Sequence, residues 1–156
     1  IQQLFQTIKI FQKQGKMKGT DTLRLLQLII FNFLVGNGDA HGKNFSVLYK
    51  DQQVQLTPGY DLLSTLVYGN HHTEKMAMKI GSKYKFKDVA TRHFEQMGSD
   101  IGLSPKLVIR QAKILSQQIS PASKTLLKDM EHQGFTSDIL TQIVAIIEKQ
   151  SRLFIQ

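Results

Sequence analysis

Three side chains near the middle of the chain have the types and the spacing of a phosphotransferase site. Asp39 is followed five residues later by Asn44, and Asp61 comes after a short stretch with a β-like pattern. A kinase needs a carboxylate that orients and deprotonates the attacking hydroxyl group, and hard oxygen ligands that hold Mg²⁺ on the phosphates. In the kinase catalytic loop Asp-x-x-x-x-Asn, the Asp is the base and the Asn holds a metal. The pattern therefore predicts phosphoryl transfer.

A β-hairpin is predicted between Asn44 and Asp61. Phe, Val and Tyr occupy every second position of residues 45–49, a polar turn follows, and residues 54–57 return. Strands of about four residues at roughly 3.3 Å each run about 13 Å out and the same distance back. The chain is thus returned to its starting point. Asp61 is expected beside Asn44, as two ligands of one Mg²⁺ must be.

Each of these residues also has a purely structural interpretation, which the sequence leaves open. Asp39 is of a type that caps helices and turns, and Asn44 is a common turn residue. Asp61 could be the N-cap of the residues that follow it. Only the combination of the three favours a catalytic interpretation.

Two motifs together carry a family resemblance. The first is residues 37–46, Asn-Gly-Asp-Ala-His-Gly-Lys-Asn-Phe-Ser, and the second is residues 56–64, Leu-Thr-Pro-Gly-Tyr-Asp-Leu-Leu-Ser. They resemble the C-terminal lobe of the HipA family of bacterial serine/threonine kinases, which are the toxins of toxin–antitoxin pairs. The resemblance covers roughly residues 37–64, and the helical remainder is compatible with the same lobe.

The resemblance implies a site and its cofactors. ATP would donate the γ-phosphate with the help of Mg²⁺, Asp39 would be the catalytic base, and Asn44 and Asp61 would be the metal ligands. The implied cofactor contacts come from His41, Gly42, Lys43, Asn44, Tyr60 and Asp61. For His41 and Lys43 the alternatives, a buried histidine that shapes the loop and a solvated lysine, stay open.

The same resemblance implies partners. The acceptor would be a serine or threonine of a protein, with an aminoacyl-tRNA synthetase as one expected target, and a DNA-binding antitoxin would bind the kinase. Two rival functions remain. The short form Asp-x-His-x-x-Asn is similar to that of lipid kinases, so a lipid or small-molecule kinase would keep the three residues. A non-catalytic docking module for an antitoxin or DNA would need none of them.

The length of 156 residues predicts a single domain over residues 1–156. A two-lobe kinase is larger, and the chain lacks the glycine-rich loop and the strand lysine that cover ATP in the other lobe. We therefore expect a fragment without the N-terminal ATP-covering lobe, and no secretory signal peptide is visible. The chain alone is expected to bind ATP poorly and to turn over negligibly.

Composition and charge indicate the cellular compartment and the kind of partner. The chain has no cysteine, which excludes disulfides and fits a cytoplasmic protein. No apolar run approaches the 20 residues of a membrane span. The net charge of +8 favours partners that carry phosphate. Lys106, Arg110 and Lys113 recur at helical spacing and form a basic face that could contact DNA, although a solvated face is the simpler interpretation.

The fold class predicted is mainly α, a helical kinase-like C-terminal lobe with one small β-hairpin. Apolar residues at helical spacing predict helices over residues 2–13, 20–35, 86–101 and from 105 onwards. The helix at residues 20–35 is apolar on nearly every side and should be the central core helix that leads into the catalytic loop. Gly36 and Gly38 should let the chain leave it in conformations closed to other residues.

Three further expectations concern the rest of the chain. Residues 68–85 are the least regular part of the sequence. Its adjacent His71 and His72 could suggest zinc, but they lack the further ligands of a zinc site. We therefore predict a surface loop beside the active cleft. Pro121 should break the helix that begins at Pro105. The last helix, capped by Thr136 or Ser137, has a wide apolar face and should be deeply packed.

Overall fold

The computed structural model describes residues 1–71 and 75–155, which form five α-helices and two antiparallel β-hairpins. The helices are α1 (Gln2–Lys13), α2 (Thr20–Leu34), α3 (Thr91–Ile101), α4 (Pro105–His132) and α5 (Asp138–Ser151). The strands are β1 (Val47–Lys50), β2 (Gln53–Leu56), β3 (Lys75–Ile80) and β4 (Lys83–Lys85). The predicted mainly helical fold is confirmed, with one hairpin more than expected.

Helix α2 is the centre of the core, as its apolar surface predicts. Leu26, Ile30 and Leu34 are fully buried along it, and α4 and α5 pack against it. An aromatic cluster extends this core, because Phe94 packs edge-on against both Phe33 and Phe154, with ring centroids 5.0 and 4.9 Å apart. Such edge-to-face pairs add to the stabilisation that burial alone provides.

The end of α2 is a Schellman motif, and it determines where the loop that carries Asp39 begins. Gly36 N donates a hydrogen bond to Phe33 O at 3.1 Å, and Asn37 N donates to Asn32 O at 2.8 Å. Gly36 adopts the left-handed conformation that this motif requires, with φ of 74°. Residues with positive φ at Gly15, Gly102 and Gly134 close α1, α3 and α4 with the same pair of hydrogen bonds.

The first hairpin has the predicted position. Its strands pair from Val47 with Leu56 to Lys50 with Gln53. The two turn residues, Asp51 and Gln52, both have positive φ (49° and 64°), as in a type I′ turn.

The second hairpin, β3 with β4, corrects the prediction of an irregular loop over residues 68–85. In β3, Met76 and Ile80 are buried while Lys75 and Lys79 are exposed, which is the alternation of a half-buried strand. Residues 65–71 form 3₁₀ turns, and His72 lies outside the described residues. Ala77 N donates a hydrogen bond to Gly38 O at 2.7 Å, so this hairpin directly supports the loop that carries Asp39.

The predicted helix break at Pro121 is wrong, because α4 is continuous across it. A proline inside a helix removes one backbone hydrogen bond, but α4 is supported on both sides of that position. Gln27 Nε2 donates to Gln111 Oε1 at 3.0 Å before the proline, and Lys124 forms an ion pair with Glu148 of α5 after it. The predicted start at Pro105, after Ser104, is confirmed.

The expected deep packing of α5 is found only in its second half. Ile147 is buried, whereas Ile139 is exposed, because the first half of α5 extends beyond the core beside the exposed end of α4. Ser137 caps the helix as predicted, since its Oγ accepts a hydrogen bond from Ile139 N. None of the described helices is long and apolar enough to cross a membrane.

The buried His93 should make folding stability depend on pH. Its Nδ1 accepts a hydrogen bond from Ala90 N at 2.8 Å. Burial lowers the pKa of His93 from its ordinary value near 6.5, and the charges of Arg92 and Lys83 lower it further, against a smaller opposing effect of Asp88. The unfolded chain therefore binds the proton more readily. The contribution of neutral His93 to the free energy of unfolding should be complete above about pH 6.5. Below that pH the free energy of unfolding should fall, by at most about 1.4 kcal/mol per pH unit.

Urea denaturation between pH 5 and pH 8 measures this dependence. In His93→Asn the amide oxygen can replace Nδ1 as acceptor but does not titrate, so the decline between pH 6.5 and pH 5 should be smaller than in wild type. His132→Asn, at an exposed histidine, serves as the matched control and should keep the wild-type profile. An unchanged profile in His93→Asn would show that other groups cause the dependence.

Candidate active site

The loop that carries Asp39 is fixed by hydrogen bonds on both sides. Thr65 Oγ1 accepts a hydrogen bond from Gly38 N at 2.7 Å and donates to Gly36 O at 3.3 Å. Of the two glycines predicted to need special backbone conformations, Gly36 is left-handed and Gly38 is not. Gly38 is required for a different reason, since a Cβ atom there would lie 2.9 Å from Thr65 Oγ1 and 3.3 Å from Lys75 O.

Asn44 and Asp61 are direct neighbours, as the hairpin geometry predicts. Asn44 Nδ2 donates a hydrogen bond to Asp61 Oδ2 at 2.5 Å, and Asn44 Oδ1 accepts one from His41 N at 3.0 Å. Asp61 has φ of 55°, a left-handed conformation that Asp adopts more readily than most residues. Such backbone conformations persist where the surroundings impose them, often at functional sites.

The contacts of Asp39, Asn44 and Asp61 bear on their purely structural interpretations. No described residue donates a hydrogen bond to the carboxylate of Asp39, which is exposed, so Asp39 caps no described helix or turn. The carboxylate of Asp61 contacts Asn44 rather than a helix N-terminus. For Asn44 the turn interpretation is correct in part, because Asn44 N and His41 O close a 3₁₀ turn over Gly42–Asn44. Their catalytic roles stay predictions.

The loop between Asp39 and Asn44 contains His41, Gly42 and Lys43. His41 is half-buried, and its Nδ1 is inaccessible and has no hydrogen-bond partner among the described residues. Gly42 is exposed, and no described atom lies within 4 Å of a Cβ built there. Lys43 is exposed as well. The exposed Gly42 and Lys43 therefore leave open space and one cationic side chain to a ligand, whereas Nδ1 of His41 is closed off.

Tyr60 connects the end of the first hairpin to the loop that carries Asp39. Its hydroxyl group donates a hydrogen bond to Lys43 O at 2.5 Å and lies 2.7 Å from Ser46 Oγ. The ring is partly exposed. A nucleotide contact by Tyr60 would thus use the ring, while the hydroxyl group holds the loop.

The side-chain oxygen atoms of Asn44 and Asp61 are of the kind that binds a magnesium ion. The hydrogen bond between them uses one oxygen of the Asp61 carboxylate and leaves the other. Asn44 Oδ1 accepts one hydrogen bond, and an amide oxygen has a second lone pair. Mg²⁺ typically takes one or two carboxylates, with phosphate and water completing its octahedron. The described residues contain no group of three or more His, Cys, Asp or Glu placed to hold a metal, and magnesium binding by Asn44 and Asp61 stays a prediction.

Sequence reasoning assigned no role to Asn32, Asn37 or Thr65, although the structure places all three around the loop. Asn37 Oδ1 accepts a hydrogen bond from Asp39 N at 3.1 Å. Its Nδ2 lies 2.7 Å from Asn32 Oδ1 and 3.1 Å from Asp61 O. Asn37 stood inside the first motif, but only the fold shows that it reaches a residue 24 positions later.

Comparison with known proteins places the chain in a family. The model of the HipA-like C-terminal domain matches residues 1–125. The chain belongs to this family. The HipA-like family resemblance drawn from residues 37–64 is thereby confirmed and extends over the helices on both sides of the two motifs.

Among the relatives, Y4mE of Sinorhizobium fredii, named as a candidate kinase, is 37% identical over 121 residues. That alignment covers 78% of this chain and 29% of Y4mE. The serine/threonine-protein kinase toxin HipA of Shewanella oneidensis is 28% identical over 130 residues, which cover 80% of this chain and 30% of HipA. The chain thus spans less than a third of the length of these HipA-like relatives.

The same fold occurs in a solved structure. HipA of Shewanella oneidensis MR-1, in a complex described as the toxin–antitoxin system of HipA, HipB and its operator DNA, superposes with a TM-score of 0.72. The superposition covers 83% of this chain and 30% of that HipA chain, with 23% sequence identity. At this identity the likeness shows the HipA-like fold alone.

Proposed function

We propose that this chain is the C-terminal catalytic lobe of a HipA-like serine/threonine protein kinase. The observation that carries the proposal is the pairing of Asn44 with Asp61 at 2.5 Å across a 17-residue separation. A turn alone would need only Asn44 and its local hydrogen bonds. The carboxylate of Asp39 is exposed on the same loop and engaged by no described residue, as a base that must reach a substrate requires.

The residues of the chain have distinct roles in this proposal. Asp39 accepts a hydrogen bond from the acceptor hydroxyl group, aims its oxygen at the γ-phosphate of ATP and takes its proton. Asn44 and Asp61 hold Mg²⁺, one through a neutral amide oxygen and the other through a charged carboxylate. When bound, Mg²⁺ neutralises charge on the phosphates. The exposed Lys43 would meet phosphate oxygens, and the half-buried His41, whose Nδ1 is inaccessible, would shape the loop beside it.

The proposal assigns the remaining kinase elements to another part of the intact protein. The chain spans less than a third of the length of its HipA-like relatives, so the proposal assigns the glycine-rich loop and the strand lysine that cover ATP in kinases to the remainder of the intact protein. The name of the Shewanella relative supports a protein acceptor and a toxin role. Both belong to the intact protein and are part of the proposal.

Transfer of the labelled γ-phosphate of ATP by the full-length protein tests the function. We expect labelled phosphoserine or phosphothreonine, on the protein itself or on added protein, and loss of labelling when EDTA removes Mg²⁺. Restoring excess Mg²⁺ should restore the label, because the carboxylate and amide ligands persist without the metal. A lipid or small molecule labelled in place of protein would support the rival kinase class. Binding of Mg-ATP without labelling of any acceptor would favour the docking module.

An antitoxin and DNA are the partners that we propose for the intact protein. Lys106, Arg110 and Lys113 lie on one face of α4 and are all exposed, as the sequence predicts. The superposed HipA was solved with HipB and operator DNA. Because a row of cations attracts the phosphate backbone irrespective of base sequence, this face of α4 would contribute affinity and leave sequence specificity to the antitoxin.

A further inference from the structure

We propose that Asn37 is the positioning residue of this site, with a side-chain amide that holds the Asp39 loop and the Asp61 backbone in one fixed arrangement. The proposal rests on the function proposed above and adds a residue to it. Asn37 contacts neither the acceptor nor a phosphate in this scheme, since its amide lies beneath the loop and is buried. It acts through its two neighbours.

The hydrogen bonds of Asn37 are directed at the two residues whose relative position matters most. Its Oδ1 accepts from Asp39 N at 3.1 Å, which fixes the backbone that carries the base. Its Nδ2 donates to Asp61 O at 3.1 Å, which fixes the backbone that carries the metal ligand. One side chain therefore spans the two loops.

The conformation of Asp61 shows why such a tie is needed. With φ of 55°, Asp61 is in a left-handed backbone region that is unfavourable for most residues other than glycine and that Asp tolerates better than most. The hydrogen bond from Asn37 to Asp61 O holds the backbone of this residue, and the one from Asn44 holds its carboxylate. Without Asn37, the Asp61 backbone would lose this hydrogen bond, and only the contact of the carboxylate with Asn44 would hold the residue in place.

The surroundings of Asn37 argue against a role in packing alone. Asn37 and Asn32 line a small cavity of about 20 Å³ whose other walls are mainly apolar, including Phe33, Phe45 and Met76. Buried amides in such surroundings are costly unless they are hydrogen-bonded. An apolar residue of similar size would fill the space without that cost, so the amide groups matter for what they bind.

Asn32 provides a matched control for the test. It is also buried, also an asparagine, and lies in the same hydrogen-bond chain, because its Oδ1 accepts from Asn37 and its Nδ2 donates to Leu28 O. It has no hydrogen bond to Asp39 or Asp61. A merely structural network predicts equal consequences for Asn32→Ala and Asn37→Ala, whereas a positioning role predicts unequal ones.

The experiment compares Mn²⁺ affinity and turnover in the full-length wild type, Asn37→Ala and Asn32→Ala. Mn²⁺ binding is followed by electron paramagnetic resonance with a non-hydrolysable ATP analogue, and kcat is measured with Mg-ATP. Residues that orient metal ligands typically contribute 10- to 100-fold in affinity or activity. We expect Asn37→Ala to weaken Mn²⁺ binding and to lower kcat by roughly this factor, and Asn32→Ala to change each less than about threefold.

Equal losses in the two variants, or an Asn37→Ala protein within about threefold of wild type, would overturn the proposal. So would a wild type that binds no Mn²⁺ with the nucleotide, because the ligand pair itself would then be wrong. If wild type binds Mn²⁺ but transfers no phosphate, the kinase function fails, and the affinities still test Asn37. Asn37→Ser, which keeps a small polar side chain too short to reach both loops, replaces the alanine variant if that protein does not fold.

Discussion

Replacing Asp39 by asparagine in the full-length protein should lower the rate of phosphate transfer by about 10²- to 10⁴-fold, the usual contribution of a positioned general base. Asparagine has nearly the same shape but cannot take the proton of the acceptor hydroxyl group. The side chain of Asp39 is exposed and bonded to no described residue, so its replacement should leave the loop and its hydrogen bonds intact. Incorporation of labelled phosphate per unit time measures the effect.

Asp51→Asn is the matched control for this prediction. Asp51 is also an exposed loop aspartate, but it lies at the tip of the first hairpin, away from the paired ligands. Because asparagine tolerates positive φ, the type I′ turn should also be kept. We expect Asp51→Asn to transfer phosphate at the wild-type rate. Equal rates for wild type and Asp39→Asn would show that Asp39 is not the base.

Replacing Phe94 by alanine should lower the free energy of unfolding by about 3–5 kcal/mol, a large part of the 5–15 kcal/mol of a typical domain. Phe94 is 0% exposed and packs between Phe33 of α2 and Phe154 beyond α5. Its removal leaves a cavity that the surrounding rings cannot fill without losing their edge-to-face contacts. Urea denaturation followed by far-ultraviolet circular dichroism measures the change.

Phe135→Ala is the corresponding control, because it removes the same atoms from a side chain that is 60% exposed. Surface substitutions of this kind usually change stability by less than about 0.5 kcal/mol. A loss near that small value for Phe94→Ala would mean that the aromatic cluster repacks. A loss of several kcal/mol for Phe135→Ala would mean that this exposed ring is covered in solution.

The helices could be predicted from the sequence because their signals are local. Apolar residues at helical spacing gave α1 and α2, and Ser104 followed by Pro105 gave the start of α4. Pro121 misled the prediction, because the cost of a proline depends on what supports the helix around it. That support comes from Gln27 and Glu148, which are distant in sequence.

The second hairpin was missed although its sequence alternates. Met76, Met78 and Ile80 occupy every second position of β3, but the residues between them are Lys and Ala. Lysine and alanine have a weak preference for strands, so local propensity does not distinguish this segment from a loop. What makes the segment a strand is tertiary: Met76 and Ile80 are buried in the core, and Ala77 binds Gly38.

The three candidate residues of the site could be found from spacing, but their support could not. Asn44 and Asp61 were expected to meet because a hairpin returns the chain to its origin, and they do. The contacts of Asn37 with Asp61 and of Thr65 with Gly38 join residues 24 and 27 positions apart. No periodicity or motif spacing encodes such contacts, since they depend on how the end of α2 meets the segment after the hairpin.

The first hairpin makes the distance between Asn44 and Asp61 independent of the number of residues at the hairpin tip. Its strands are joined at the base by the pairing of Val47 with Leu56, and Val54 N is tied to Lys16 O at 2.7 Å. The tip at Asp51 and Gln52 lies beyond both attachments. Insertions can accumulate at the tip during evolution, or be engineered there as reporter peptides, without changing the distance between the two ligands. The segment between Leu56 and Asp61 leads directly from the paired strands to the ligand. A single residue added there would shift the Asp61 carboxylate.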